Sequence, residues 1–586
     1  MKKGIESLIA YLLIITQCSC GPKKPVDSSN GMIPREKTLY VTGLEWKHDN
    51  NFNPLVPDGD FGSDYNCQLI YECLLVYDQL KGKPVPSLAA SYTLSDNAIT
   101  VTIDTRARWH DGTPVTPEDV KYTFELDKIY PTTRAGTWKY LDRVEITSDS
   151  TLDFHLNRKN RNPLMVLDAL TSVPILPHAV WEKVEREYWV DSLGKADFMK
   201  LMNYKNNSDI IGSGPYTLYY FDNSKVVLRR VDTYWGKGKY GTLPAPEFIA
   251  HVLFSNSDQV ALAMKQGKID ISCPFIPVLG TAEAGPIRGW SLKPPYNIPG
   301  CIPTLFMPAN TEPFNNVAFR RALAHAVDFA KIGSIAFANQ SPTMQPGIII
   351  PFGPESRYFS KKDAEAFGCR YDIEKARSIL KQNGFTWNEK GMLLDPAGKQ
   401  IDKMYAECPS GWTDWENMIK IAIEGFRGLG LDVSERFTDY ASWDQKCRTG
   451  NGFDFILRTA TSLQSPATPW LRFKQLLSSE NIHDGEDAYE NFGRYHNTEA
   501  DSLLSLIPAI TDSSETIRLY RQLNRLFMLE VPSIPVVYRP AVFYQFTEKH
   551  WTNFPTEDNP YAPPQMLFIG GGIPGLFHIR PVKEAS

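Results

Sequence analysis

A chain of 586 residues is too long for one ordinary core, and at roughly 100 to 200 residues per domain it divides into three or four compact units. Its 62 basic and 67 acidic residues are interspersed and sum to a net charge of −5, which leaves no sustained positive face for a polyphosphate and argues against nucleic acid as a partner. The balance of 42% hydrophobic and 22% charged residues is that of a globular protein, while 13 Trp, 27 Tyr and 30 Phe make a generous aromatic supply for a core and for a ligand.

The first twenty residues read as an export signal. Lys2 and Lys3 precede a short apolar run over 8–15, interrupted only by Tyr11, and Thr16, Ser19 and two cysteines follow. The run is too short to span a bilayer. Bacterial lipoproteins are cut just before a cysteine that then carries lipid, and Cys20, preceded by the small Ser19, fits that better than Cys18, preceded by Gln17. Gln17 stands where an aliphatic residue is usual and Glu6 lies close to the apolar run, so an ordinary signal peptide with incidental cysteines stays open. The expectation is a signal peptide over 1–19, lipid on Cys20, and a flexible tether over 20–35 rich in Pro, Ser, Lys and Gly. No later segment approaches about 18 continuous apolar residues. Seven cysteines then remain, Cys67, Cys73, Cys273, Cys301, Cys369, Cys408 and Cys447, an odd number that leaves at least one thiol unpaired. None forms a C-x-x-C pair with histidines at zinc spacing, so no structural metal is expected.

Further along, a strand is predicted over 39–43 and an amphipathic helix over 64–78, with Leu69, Ile70, Leu74 and Leu75 among its apolar positions. Residues 91–104 alternate like a β-hairpin around the turn Ser95-Asp96-Asn97. Thr116-Pro117-Glu118-Asp119-Val120 opens a helix: Thr116 caps it, Pro117 fits the first turn, and the acidic pair favours the positive end of the dipole. A helix over 317–336 packs through Ala322, Leu323, Ala326 and Val327, with Arg320 and Arg321 turned outward. Another starts at Asp372 and ends at Asn383-Gly384, a left-handed stop signal. A third, over about 414–429, is stopped by Gly430 and leads into a strand over 431–436, with one more over 453–459. This alternation reads as an α/β fold, without internal repeats.

Five stretches carry more specific information. Trp109-His110-Asp111-Gly112-Thr113-Pro114-Val115-Thr116-Pro117-Glu118-Asp119-Val120 joins a Trp and an Asp-Gly turn to a Glu-Asp-Val helix start. Gly212-Ser213-Gly214-Pro215-Tyr216 precedes Asp232-Thr233-Tyr234-Trp235-Gly236. Residues 318–328 follow Arg-x-Ala-Leu-x-x-Ala-x-Asp; Tyr371-Asp372 leads to Gly384-Phe385; and Pro532-Ser533-Ile534-Pro535-Val536 closes the series. In this order they resemble the family-5 extracellular solute-binding proteins, the dipeptide, oligopeptide and related binders of ABC importers. The resemblance covers nearly the whole mature chain.

It implies a two-lobed, periplasmic-binding-protein-like α/β fold of the cluster C type, with an extra domain inserted in the first lobe and ligand held between lobes that close about a hinge. The implied division assigns 36–75, 205–300 and 535–586 to lobe I, 76–204 to the inserted subdomain and 301–534 to lobe II. It further implies a monomeric lipoprotein of the cell envelope, periplasmic or outer-surface, that meets the membrane through its lipid only and delivers ligand to an ABC permease with its ATPase subunits. No cofactor is expected. Physically the five motifs are scaffold rather than chemistry: Asp111-Gly112 makes a turn, Asp119 supports a helix start, and Trp109 anchors a core.

In the family's peptide binders, an Asp shortly after the strand that matches Phe453-Asp454-Phe455 holds the ligand's α-ammonium, because a buried charge without a partner is costly. Here no acidic residue occurs from 455 to 479, and the loop reads Thr459-Ala460-Thr461-Ser462-Leu463-Gln464-Ser465-Pro466-Ala467-Thr468-Pro469-Trp470. Hydroxyls, a Gln and a Trp suit a neutral polyhydroxylated ligand. Around it, Thr468-Pro469-Trp470-Leu471-Arg472-Phe473, Gly493-Arg494-Tyr495, Tyr538-Arg539-Pro540 with Phe543-Tyr544, Trp551-Thr552-Asn553-Phe554-Pro555, and Asn51-Phe52-Asn53-Pro54-Leu55 after Trp46 resemble the cellobiose and cello-oligosaccharide binders of the same family. A β-linked oligosaccharide is therefore the expected ligand, with an oligopeptide or dipeptide as the alternative. Candidate platforms are Trp46, Trp138, Trp412, Trp443 and Trp470, each of which also suits a core; Trp412 and Trp470 stand out for polar loop surroundings. Gln464 and Asn53 are candidates for hydroxyl contacts.

No G-x-S-x-G elbow, H-E-x-x-H or P-loop occurs, so no enzymatic activity is expected. His110-Asp111 reads as a solvated turn rather than a base pair. Nickel, haem or signalling-peptide ligands belong to relatives of this scaffold, but the ten histidines form no tight cluster, which argues against a metal.

Overall fold

The computed structural model describes residues 33–42, 51–56, 67–130, 132, 135–273, 275–276, 279, 281–289, 293, 298–461, 465–480, 482, 487–539, 545–563 and 570–582. The expected signal peptide, Cys18, Cys20, Trp46, Gln464 and Phe543-Tyr544 lie outside these residues.

Three sheets organise the chain. The largest has seven strands in the order Tyr216–Phe221, Lys225–Arg230, Phe248–Val252, Thr38–Thr42, Ile271–Ser272, Gln545–Thr547 and Ile287–Gly289. Thr38–Thr42 pairs in parallel with both neighbours. Leu39 and Val41 on one face and Thr38 and Thr42 on the other are all buried, as a central strand covered on both sides requires. A five-stranded sheet runs Val433–Thr438, Met404–Pro409, Phe455–Thr461, Cys301–Phe306 and Ser533–Pro535, its first three strands parallel and the rest antiparallel. A four-stranded antiparallel sheet, Ala89–Leu94, Ala98–Ile103, Thr151–Leu156 and Leu141–Ser148, contains the predicted hairpin, closed where Ser95 N donates to Ala98 O at 2.9 Å. The large and five-stranded sheets form the cores of two lobes.

The motifs turn out to be stitches between these parts. Thr116 and Asp119 form a reciprocal capping box at the start of the helix Pro117–Ile129. Asp119 also accepts from Trp109 Nε1 at 3.3 Å and from His178 N at 2.8 Å, so one carboxylate ties three segments. Gly212 and Gly214 are glycines because of close approach: a Cβ would stand 2.0 Å from Ile70 O at the first and 2.3 Å from Leu69 O at the second. Tyr234 and Trp235 both donate to the buried Glu72, at 2.8 and 2.7 Å. Burial pushes that carboxyl up to about 7.

Several expectations are corrected. The predicted helix over 64–78 is instead, within the described residues, a 3-10 turn Cys67–Leu69 and a strand Leu75–Asp78. Its backbone groups are taken by distant partners: Ile70 O accepts from Gly214 N, Glu72 N donates to Ser213 Oγ, and Leu74 O accepts from Ser87 N. The helix over 317–336 stops at Ala326, because Val327 is extended and Asp328 caps a new short turn by accepting from Lys331 N at 2.9 Å. Arg320 does not face outward. It is 2% exposed and donates to Phe314 O, Glu530 O and Val531 O, while Arg321 donates to Met528 O at 2.7 Å. Both cations satisfy carbonyls at the end of the helix Ser513–Glu530, where the dipole favours them. His110 is not a solvated turn residue either: its Nδ1 accepts from Gly212 N at 3.2 Å and its Nε2 meets Gly214 O at 2.9 Å, fastening the glycine segment. Among the described residues no helix is long and apolar enough to cross a membrane.

Candidate ligand-binding cleft

A cleft of about 620 Å³ is lined on one side by Ser257, Cys273 and Phe275, from the lobe of the large sheet, and on the other by the five-stranded sheet and its helices. The lobes touch beside it: Gln340 Nε2 donates to Ile276 O at 2.9 Å, and the Phe275 and Phe337 rings lie 5.6 Å apart.

The sequence builds one wall from two helices with aromatic residues three positions apart. Trp412 and Trp415 sit at the start of the helix Thr413–Gly428, and Tyr440 and Trp443 at the start of Tyr440–Thr449. Residues at i and i+3 share a helix face, so each helix offers a pair. The pairs meet: Trp412 and Trp415 are 4.8 Å apart and nearly perpendicular, Tyr440 and Trp443 are 5.4 Å apart, and Trp443 lies 6.1 Å from Trp412 and 6.0 Å from Trp415. Such tilted contacts suit the quadrupoles of the rings. Arg458, from the strand Phe455–Thr461, reaches between Trp443 at 4.8 Å and Phe492 at 4.3 Å, and donates to Asp444 Oδ1 at 2.8 Å.

The polar lining is organised in pairs. Asp414 accepts from Arg539 Nε at 2.8 Å. Burial works against the charge of Arg539, but Asp414 and the Cys301 sulfur raise its pKa overall. Glu490 is ion-paired with Lys474. Thr461 N donates to Gln475 Oε1 at 2.9 Å, and Thr461 O accepts from Arg472. Arg472 in turn grips Glu355 through two bonds of 2.8 and 2.6 Å in a fully buried pair that fixes the strand end. Burial pushes the Cys273 thiol up to about 12. Among the described residues no group of three or more His, Cys, Asp or Glu is placed to hold a metal.

Of the residues singled out in the sequence, Trp412 and Trp443 are brought together here. Trp470, Trp138 and Asn53 are elsewhere. Trp470 donates its Nε1 to Leu504 O at 2.8 Å and stands edge-on to Tyr140 at 6.1 Å, beside a second cavity. Trp138 donates to Phe124 O at 3.0 Å near the four-stranded sheet, under Lys128. Asn53 is 1% exposed, with its amide directed to Leu201 O and Tyr204 O and its oxygen to Leu55 N, so a sugar hydroxyl cannot reach it. Trp415, Tyr440, Arg458, Phe492 and the Asp414–Arg539 pair were not anticipated. The i, i+3 spacings from Trp412 and to Trp443 were the available signal for the first two.

Two α/β lobes enclosing a ligand-sized cleft define an extracellular solute-binding protein. The family model described as bacterial extracellular solute-binding proteins, family 5 Middle, matches residues 83–482, and the chain belongs to that family. The crystal structure of a periplasmic oligopeptide-binding protein of an oligopeptide ABC transporter from Thermotoga maritima is 30% identical, with a TM-score of 0.85, over 94% of this chain and 100% of that one. Its mannohexaose-bound form gives 0.80 over 94% and 99%. The oligopeptide-binding protein AppA from Bacillus subtilis, in complex with a nonapeptide, shares the fold at a TM-score of 0.70 and 19% identity over 93% and 99% of the two chains. The probable peptide-binding protein YejA from Agrobacterium fabrum is 22% identical over 542 residues, 85% of this chain and 84% of that protein. The chain is thus a cell-envelope substrate-binding protein that delivers ligand to an ABC permease, and not an enzyme.

Proposed function

We propose that the cleft takes a neutral oligosaccharide, preferably β-linked. The carrying observation is that both carboxylates among the described lining residues are already committed, Asp414 to Arg539 and Glu490 to Lys474. A peptide's α-ammonium entering there would have to share a carboxylate whose charge is already neutralised, leaving one cation uncompensated. A sugar asks only for hydrogen-bonding groups and an apolar face, which Thr459, Thr461, Gln475 and the Trp412 wall supply. The mannohexaose bound to the Thermotoga maritima relative supports this reading.

An oligopeptide is the second reading, favoured by the names of that relative and of YejA and by the nonapeptide in AppA. In either case ligand bridging the lobes favours the closed form. The proposal keeps lipid attachment at Cys20, a monomer, and the division into 36–75, 205–300 and 535–586, 76–204, and 301–534; the membership of the three sheets supports that division.

A ligand that binds only the native state raises its thermal midpoint. The test is a panel of cello-, xylo- and manno-oligosaccharides beside di- to pentapeptides, against the wild type, Trp412→Ala and Trp470→Ala. A rise with sugars that Trp412→Ala removes and Trp470→Ala leaves intact supports the proposal. A rise with peptides alone sinks it.

A further inference from the structure

The helix Trp470–Leu477 gives Gln475 to the ligand cleft and Lys474 to a second cavity of about 450 Å³. That cavity is a gap in a seam: the segments around the four-stranded sheet supply Lys139 and Arg161 to one wall, and the lobe of the five-stranded sheet supplies Lys474, Glu480 and Pro508 to the other.

The segments around the four-stranded sheet are bonded very differently to their two neighbours. Main-chain groups tie them to the lobe of the large sheet: Ile175 N donates to Glu72 O at 3.0 Å, His110 N to Gly212 O at 2.8 Å and Leu88 N to Cys73 O at 3.2 Å. Lys239 Nζ adds bonds to Pro86 O and Ser87 O at 2.9 and 2.6 Å. Across the seam, among the described residues, no hydrogen bond joins two backbone groups. What crosses it is side chain: Lys139 pairs with Glu480, Arg161 Nη1 donates to Pro508 O at 3.2 Å, and Ser465 Oγ donates to Asp168 Oδ1 at 2.5 Å. The Lys139 and Glu480 side chains keep 32% and 48% of their surface in water. Such a pair is worth at most about fivefold in an equilibrium constant and is screened by salt. A boundary held by a few solvated side chains opens before one held by main-chain bonds. The four-stranded sheet therefore travels with the large sheet, and the seam parts when the lobes part.

The other crossing lies beside the cleft, where Gln340 Nε2 donates to Ile276 O at 2.9 Å. The segment that presents Gln340 is strained: Ala338 and Asn339 follow the π turn Ile332–Ala336 with φ of 48° and 61°. Backbone of this kind persists where its surroundings hold it, so loss of the contact to Ile276 loosens it.

We propose that the seam is a second closing face, on which the segments around the four-stranded sheet dock against the opposite lobe as the cleft shuts, and that the Lys139–Glu480 pair biases the molecule toward the closed form. Neither residue lines the cleft; both are positioning residues. Salt that screens the pair loosens the closed form around even an uncharged ligand. The proposal rests on the closing motion of two lobes and not on the sugar reading.

The test is amide hydrogen exchange of the whole ligand-free protein, read by mass spectrometry over 135–142 and 471–480 at the seam, 337–341 beside the cleft, and 171–176 at the attachment to the large-sheet lobe. Lys139→Glu sets two carboxylates against each other; Lys139→Glu with Glu480→Lys restores the pair in reverse. The expected result is exchange at least threefold faster in Lys139→Glu at the seam and at 337–341 together, with 171–176 unchanged and the reversed pair back at the wild-type rate. Raising sodium chloride from about 0.05 to about 0.5 M is expected to move the wild type in the same direction. Faster exchange at the seam alone overturns the proposal, because the seam then frays without the cleft. Unchanged rates throughout, or a reversed pair that restores nothing, overturn it too. Faster exchange that extends to 171–176 with a lowered thermal midpoint also does so, since the pair then supports the fold rather than the motion.

Discussion

Asp414 and Arg539 face each other at 2.8 Å in the lining of the cleft, the first from the start of an aromatic-bearing helix and the second from the segment paired with Cys301. Each neutralises the other, and both are largely buried. Asp414→Asn leaves a guanidinium without its counter-charge, and the expected loss is about 3 kcal/mol of unfolding free energy, read by urea denaturation. An unchanged midpoint would show that the pair is solvated and free to meet a ligand's charge.

Trp412 is half-buried and stands on Trp415, Tyr440 and Trp443, so removing it opens the wall without emptying the core. Trp412→Ala is expected to weaken oligosaccharide binding by about tenfold, near 1.4 kcal/mol, with a small change in stability. Titration calorimetry with the sugar that gives the largest thermal shift measures it.

Glu72 gives a pH dependence of definite sign. Its folded pKa, about 7, lies above the ordinary carboxyl value of 4.5 because burial penalises the charge. The folded state therefore keeps a proton that the unfolded state releases, and the stabilisation present below the unfolded value is lost as pH rises from about 4.5 to 7. The loss is on the order of 3 kcal/mol. Glu72→Gln, which still bonds Tyr234 and Trp235, is expected to remove that slope; thermal melts of both proteins from pH 5 to 8 compare them directly.

Arg472 and Glu355 form a bidentate pair with neither side chain appreciably exposed. Glu355→Gln alone is expected to cost about 3 to 5 kcal/mol, because Arg472 stays charged and buried. Combined with Arg472→Met the loss is expected to be less than the sum of the two single losses, which a double-mutant cycle in denaturant reveals.

Much of the scaffold was legible because its signals are local. A capping box, a turn between alternating runs and a left-handed glycine after a helix each act within a few residues, and Thr116, Ser95-Asp96-Asn97 and Gly384 do so here. The segment around Ile70 and Arg320 were misread for the opposite reason. Their hydrogen bonds go to Gly214 and to Glu530, far along the chain, and no periodicity announces such partners. The cleft divides in the same way. Trp412 and Trp443 sit among residues whose helical spacing is readable, and Trp415 and Tyr440 could have been found from it. Asn53 and Trp470 occur in equally polar surroundings, but their donors are consumed by carbonyls of other segments, which composition does not reveal.

The aromatic wall also has a kinetic meaning. Trp412, Trp415, Tyr440, Trp443 and Phe492 all come from the chain between 301 and 534, whereas in the proposed division the opposite lobe contributes Ser257, Cys273, Phe275, Gly300 and Arg539 to the described lining, with Phe275 as its one aromatic residue there. In the proposed reading, ligand lands on a surface assembled before the lobes meet, and the other lobe acts as its lid. Association then rises linearly with ligand concentration at a rate closure does not limit, and residence time belongs to reopening; stopped-flow tryptophan fluorescence separates the two, since a binding rate that saturates at low ligand would make the lid the gate.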